Sequence, residues 1–183
     1  MFIKENKMNT KKISMVALAI CINLIGAQIA LLFRLPIYLD CIGTVLIAAL
    51  YGPVYGMIPN VLSGTIFFMM GDAFSLYYAP VGILLGLLTG WIWKYKKDNF
   101  VSLLITTLIV VLPTSFCSAC ITAYLFGGIT SSGSSILVQL LKTPLGLTMA
   151  CFVVQVLTDF IDKFVAMALV SIVDKRIPDK YKK

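Results

Sequence analysis

Apolar positions along this chain fall in long unbroken blocks, not in the narrow stripes of a helix that buries one face and wets the other. At a rise of about 1.5 Å per residue, roughly 20 apolar residues cross the hydrocarbon core of a bilayer. The blocks predict six spanning helices: Ile13–Phe33, Pro36–Tyr51, Val54–Met70, Tyr77–Trp93, Phe100–Phe126 and Leu145–Val173. The second to fourth are short, and are expected to stand upright, begin in the interface or pack against longer neighbours. Pro113 predicts a kink in the fifth. The sixth is long enough that it must tilt or protrude.

Composition agrees with the pattern. Apolar residues make up 60% of the chain and charged ones 13%, whereas a soluble domain is about half apolar and about a quarter charged. The expected fold class is an all-α integral membrane bundle of six helices. Residues 1–183 form one membrane domain: a basic tail over 1–12, the bundle over 13–173 and a second basic tail over 174–183. The first apolar block exceeds the roughly 7–15 residues of a signal-peptide core, so it reads as an uncleaved first span.

The net charge of +7 points to topology, not to a nucleic-acid partner. The Lys and Arg residues concentrate in Lys4, Lys7, Lys11 and Lys12, in Lys94, Lys96 and Lys97, and in Lys175, Arg176, Lys180, Lys182 and Lys183. Each cluster ends an apolar block. With both termini inside, six spans put all three clusters on the cytoplasmic face, as the positive-inside rule requires. The bilayer is thus the partner of the basic residues.

Against this apolar background the polar interruptions stand out. In QVLTDFIDKFVAMALVSIVDKR, residues 155–176, Gln155, Asp159, Asp162 and Lys163 share one helix face, at about −40°, 0°, −60° and +40°. A charge at that depth costs at least ~2.5 kcal/mol unless it finds a partner or water. Asp159 and Lys163 can pair at i, i+4, which leaves Asp162 over. Two readings stay open: an ion-pair network that holds helices in register, or the floor of a polar cavity that binds a solute. Arg34, Asp40, Asn60, Asp72, Tyr77, Tyr78 and Lys142 are placed to face such a cavity from the outer side.

Small residues recur at helical spacing: Gly82, Gly86 and Gly90 in the fourth span, and Ala19, Asn23 and Ala27 in the first, with Ala17 nearby. Such rows let helix backbones approach closely in lipid. In the fourth span the row is expected to pack internally. In the first, docking onto another membrane subunit is as well supported.

Missing motifs narrow the chemistry. The sequence contains no histidine and no G-x-x-x-x-G-K-[ST] phosphate loop, so neither Ser/His/Asp hydrolysis nor autonomous ATP-driven transport is available to it. Cys117 and Cys120 form a C-x-x-C inside an apolar run with no second ligand pair, which predicts neither a zinc site nor any other cofactor. Asp159 and Asp162, on one helix, lack the two-segment geometry of an aspartyl dyad. No enzymatic activity is expected.

The stretch RLPIYLDCIGTVLIAALYGPVYGMIPN and the closing DFIDKFVAMALVSIVDKRIP, within about 180 residues and six spans, resemble the substrate-binding S components of energy-coupling factor (ECF) vitamin transporters. The resemblance implies a multi-pass protein of a prokaryotic cell membrane that captures a vitamin or related micronutrient from outside. It also implies partners: a membrane coupling subunit and two ABC ATPases, whose ATP hydrolysis topples the S component to deliver its cargo inward. In that family an Ala-x-x-x-Ala row on the first helix does the docking. The matching row here, Ala19, Asn23 and Ala27, has Asn in the middle, and Ala17–Cys21 or Gly26–Ala30 are alternatives. The substrate is left open among cobalamin, pyridoxine-like compounds, pantothenate, hydroxymethylpyrimidine and others. Two other classes also fit the residues: a stand-alone proton-coupled secondary transporter using Asp159 and Asp162, and a non-transporting membrane scaffold.

Overall fold

The computed structural model of the chain describes residues 10–177, and among them every regular element is helical. Helix α1 spans Thr10–Leu32, α2 Ile42–Tyr51, α3 Pro53–Met69, α4 Ala79–Ile92, α5 Phe100–Cys120, α6 Ser134–Leu145 and α7 Leu147–Arg176. Short 3-10 turns at Ser75–Tyr78 and Trp93–Tyr95 extend α4 at both ends, and a π-helical turn at Ile121–Leu125 prolongs α5. Lys4, Lys7, Lys180, Lys182 and Lys183 of the two basic tails lie outside the described residues.

Among the described residues, three helical stretches are long and apolar enough to cross a bilayer: Thr10–Leu32, Ser75–Tyr95 and Phe100–Leu125. The outside of the bundle agrees, since Ile25, Leu32, Phe116, Leu140 and Leu157 are all exposed. An apolar exterior of this extent needs lipid around it. Helices of this length and an exterior this apolar are compatible with a helical membrane protein. The last long helix, α7, escapes the same compositional test because of its charges, yet Asp159, Asp162 and Lys163 are 2%, 1% and 5% exposed. They point into the protein, where a charge in a membrane helix belongs.

The short α2 is the centre of the packing. Eight of its ten residues are buried, and it touches α1, α3, α4 and α7. At about 15 Å it is too short to cross a bilayer, and its shortness matters for the site. The expected span Pro36–Tyr51 is helical only from Ile42 onward. Residues 33–41 instead form an irregular segment in which Arg34 and Leu39 take left-handed backbone conformations, with φ of 49° and 53°. A bulky residue such as Leu holds φ > 0 only where its surroundings impose it.

The remaining boundaries follow the apolar blocks, with one insertion. The run before Pro144 forms its own helix, α6, and Gly146 breaks it from α7 at φ 75°. The glycine row of α4 packs internally, as its spacing predicts. A Cβ at Gly86 would run into the backbone of Gly56 on α3, and one at Gly82 into the Asn60 side chain.

Candidate functional site: a polar cavity at the end of the buried charges

A cavity of about 130 Å3 opens where α1, α3, α4, α5 and α7 meet the 33–41 and 130–132 segments. Its floor is the α7 charge cluster. Lys163 Nζ donates to Asp159 Oδ1 at 2.7 Å and lies 3.9 Å from Asp162 Oδ2. The other Asp159 oxygen accepts from Ser115 Oγ of α5 at 2.7 Å. Both α7 carboxylates therefore share one ammonium, and each has further donors.

Asp162 fixes the irregular segment. Its Oδ1 accepts the Leu39 backbone N–H at 2.7 Å, and its Oδ2 accepts the Cys41 thiol at 3.2 Å. This acceptor, reaching across from α7, holds Leu39 in its left-handed conformation. On the other side the Leu39 carbonyl lies against Gly26 of α1, where any Cβ would collide with it. The segment is thus clamped between a carboxylate and a glycine, and it carries Tyr38 and Asp40 to the cavity wall.

A carboxylate oxygen of Asp40, the Cys41 sulfur and a carboxylate oxygen of Asp162 lie within 4.8 Å of one another. A metal bound by this trio would have to displace two donors from Asp162, ionise the thiol and tolerate the Lys163 ammonium. The residues fit a hydrogen-bonded cluster better than an ion site.

A second polar layer lies behind the wall. The Tyr38 hydroxyl is 2.9 Å from Ser134 Oγ and donates to Gln155 Oε1 at 3.4 Å. Gln155 Nε2 donates to Thr122 Oγ1 at 3.1 Å, and that hydroxyl is 2.7 Å from the Tyr78 hydroxyl. Thr122 belongs to the π-helical turn, whose extra residue per turn displaces side chains from the α-helical register, a distortion that recurs at functional sites. The chain of hydroxyls and amide ties α4, α5, α6 and α7 around the cavity.

Two loops meet at the mouth. Asp72 accepts the Phe74 backbone N–H at 3.2 Å and, from across the opening, the Ser131 hydroxyl at 3.3 Å. Phe126 packs edge-on to Phe74 and Tyr77, at centroid separations of 4.8 and 5.5 Å.

Of the residues expected at a cavity, Asp40, Asn60, Asp72, Tyr78 and Asp159 line this one. Gln155 is buried one layer back. Tyr77 is exposed and packs on Phe126 at the rim. Arg34 is exposed, and its carbonyl, not its guanidinium, packs inward against Gly133. Lys142 is exposed in the last turn of α6, away from the cavity. Lys163, expected on the polar face of the last span, lines the site, and so do Tyr38, Phe74 and the Thr130–Ser131–Ser132 hydroxyls, which were not singled out for it. Lys163 carried the signal in its i, i+4 spacing to Asp159. The hydroxyls sit in the Gly/Ser-rich stretch GGITSSGSS, whose composition signals a loop and nothing more.

The row expected to dock a partner is an internal one. Ala19, Asn23 and Ala27 are 0%, 0% and 9% exposed. Asn23 accepts the Gly43 N–H at 2.8 Å and donates to Thr44 at 2.9 Å, joining α1 to the start of α2. A polar residue in mid-helix is buried here because it satisfies the backbone of its neighbour. Ala17 alone of the four is exposed, on the same side as Cys21 and Ile25. No family model, curated protein or solved structure matches the chain, so its site is read from geometry alone.

Proposed function

We propose that this protein is the substrate-binding S component of an ECF-type importer, a six-span bundle with both termini in the cytoplasm that captures a vitamin-like micronutrient. The observation that carries the reading is the polar cavity itself. A membrane bundle this small has stabilised three buried charges, a strained loop and a ring of hydroxyls around an open volume, instead of filling that volume with leucine. A scaffold gains nothing from such a space, because each buried charge is costly without a function to retain it. In this reading α1, α2 with its preceding segment, α3, α4, α5 and α7 are the six spans, and α6 is a short helix between the last two.

The cavity offers a place to bind, and the sequence holds no phosphate loop that would couple release to ATP. Coupling to ATP falls to a membrane subunit with two ATPases, docked on an exposed surface. On α1 that surface is the Ala17–Cys21 face, since the Ala19–Asn23–Ala27 row is occupied.

Native mass spectrometry of the protein, extracted in mild detergent from a host grown on rich medium, tests the binding half. A vitamin-sized organic mass is expected to co-purify and to be lost in Ser63→Phe, which fills the cavity from α3. In vesicles, accumulation of that molecule is expected only with the coupling subunit, the ATPases and ATP. Accumulation on a proton gradient alone would instead make the protein a secondary transporter. An empty protein would make it a scaffold.

A further inference from the structure

The charges around the cavity do not balance. Asp40, Asp72 and Asp159 line it against a single cation, Lys163. That cation is already spent: it sits 2.7 Å from Asp159 and 3.9 Å from Asp162, the fourth carboxylate, just behind the wall. The Asp40 carboxylate has no ion-pair partner within 4.0 Å among the described residues. The nearby N-terminus of α2 offers no relief through Gly43, whose N–H is committed to Asn23. Lys163 is also unavailable to an anion, because two carboxylates already share it. An anionic ligand would find no free counter-charge among these groups, whereas a cation would find an unpaired carboxyl in Asp40.

Shape adds to charge. Phe67, Phe74 and Tyr78 present aromatic surface to the same space. Aromatic faces attract cations as well as rings. The volume of about 130 Å3 is close to the ~150 Å3 of a protein cavity known to hold benzene, so one ring fits and a large polycyclic molecule does not.

Resting on the reading of this cavity as a solute site, we infer that its ligand is a compact organic cation: a single-ring molecule whose protonated nitrogen pairs with Asp40. The ring lies among the aromatic side chains, and the ammonium reaches the carboxylate that the fold leaves unpaired. Lys163 keeps Asp159 and Asp162 occupied, so Asp40 is the group that discriminates. Of the substrates the resemblance leaves open, cobalamin is excluded by size and pantothenate by charge.

The test is calorimetric titration of the detergent-solubilised full chain with matched pairs that differ in charge on one ring. Pyridoxamine against pyridoxine and benzylamine against benzyl alcohol compare aminomethyl with hydroxymethyl, and benzoate supplies the anion. Each amine is expected to bind about thirtyfold or more tightly than its hydroxyl partner. Asp40→Asn should abolish that discrimination and Asp40→Glu should retain it. The Asp40 carboxylate holds no ion pair, so both variants should elute and melt like the parent.

Binding of a hydroxyl compound or benzoate as tightly as the amines, with displacement by Ser63→Phe, would overturn the cation assignment while leaving solute capture intact. Binding of sodium or magnesium through Asp40, with no organic compound bound, would overturn it in favour of an inorganic ion. Binding of nothing would remove both this inference and the solute-site reading beneath it.

Discussion

Two lysine–aspartate clusters among the described residues are built on opposite principles. On α7, Lys163 and Asp159 meet at 2.7 Å with side chains 6% and 3% exposed. At the basic end, Asp98 stands 3.7 Å from Lys96 and 3.6 Å from Lys175, and is itself 67% exposed. The buried pair sits in low dielectric, where each charge depends on the other and removing one strands the rest. At the basic end Asp98 and Lys175 are hydrated, so the attraction is screened even though Lys96 itself is buried. Proximity alone says little about what an ion pair does; burial and the remaining hydrogen bonds decide. The α7 pair forms the floor of a cavity, whereas the exposed one decorates a basic surface.

The strongest way to break this contrast is Lys163→Met. It fills similar volume but leaves Asp159 and Asp162 buried with no cation between them. The expected loss is about 3–5 kcal/mol, read as a collapse of folded yield or a large drop in the melting midpoint in detergent. Lys163→Met combined with Asp159→Asn and Asp162→Asn should recover most of that loss, because no charge is then stranded. A single variant as stable as the parent would show the pair to be dispensable.

Next in size is Gly26→Ala, which leaves every charge in place. The new methyl would press on the Leu39 carbonyl and push the 33–41 segment toward Asp162. Overpacking of this kind costs about 1–3 kcal/mol. The loss should come with weakened solute binding, since Tyr38 and Asp40 ride on the same segment. Loss of stability with binding intact would mean that the segment does not position the site.

This clamp also marks how far the sequence could be read. The α7 charges were legible because any charge within an apolar block demands an explanation, and their spacing put them on one face. The glycine row of α4 was legible because close approach is the only use for such a row in a helix. The segment over 33–41 was not. LPIYLD is apolar enough to continue a helix, and what unwinds it is Asp162, 123 residues away in the chain. No local pattern carries that information. The α1 row failed for a different reason: Ala19, Asn23 and Ala27 have the same periodicity whether they face a partner or their own α2. Only the pairing of Asn23 with Gly43 and Thr44 separates the two cases. Tyr38 and the Ser131 and Ser132 hydroxyls were invisible because tyrosines and serines near helix ends are ordinary in membrane proteins.

The smallest effect is predicted at the other end of the comparison. Asp98→Ala removes both outer ion pairs at once. Lys96 keeps its hydrogen bond to Ser171 at 2.9 Å and its position 5.0 Å over the Trp93 ring, so it is not stranded. Lys175, with its side chain 56% exposed, simply returns to water. The change should cost no more than about 1 kcal/mol, and that cost should shrink further in high salt, where screening has already weakened the parent's contacts. Melting curves of parent and variant at low and high ionic strength measure both quantities. A loss comparable to that of Lys163→Met, or one that does not respond to salt, would erase the distinction between the two clusters. Lys96, buried between Ser171 and Trp93, would then have to be counted as a second structural charge, with Asp98 as its obligatory partner.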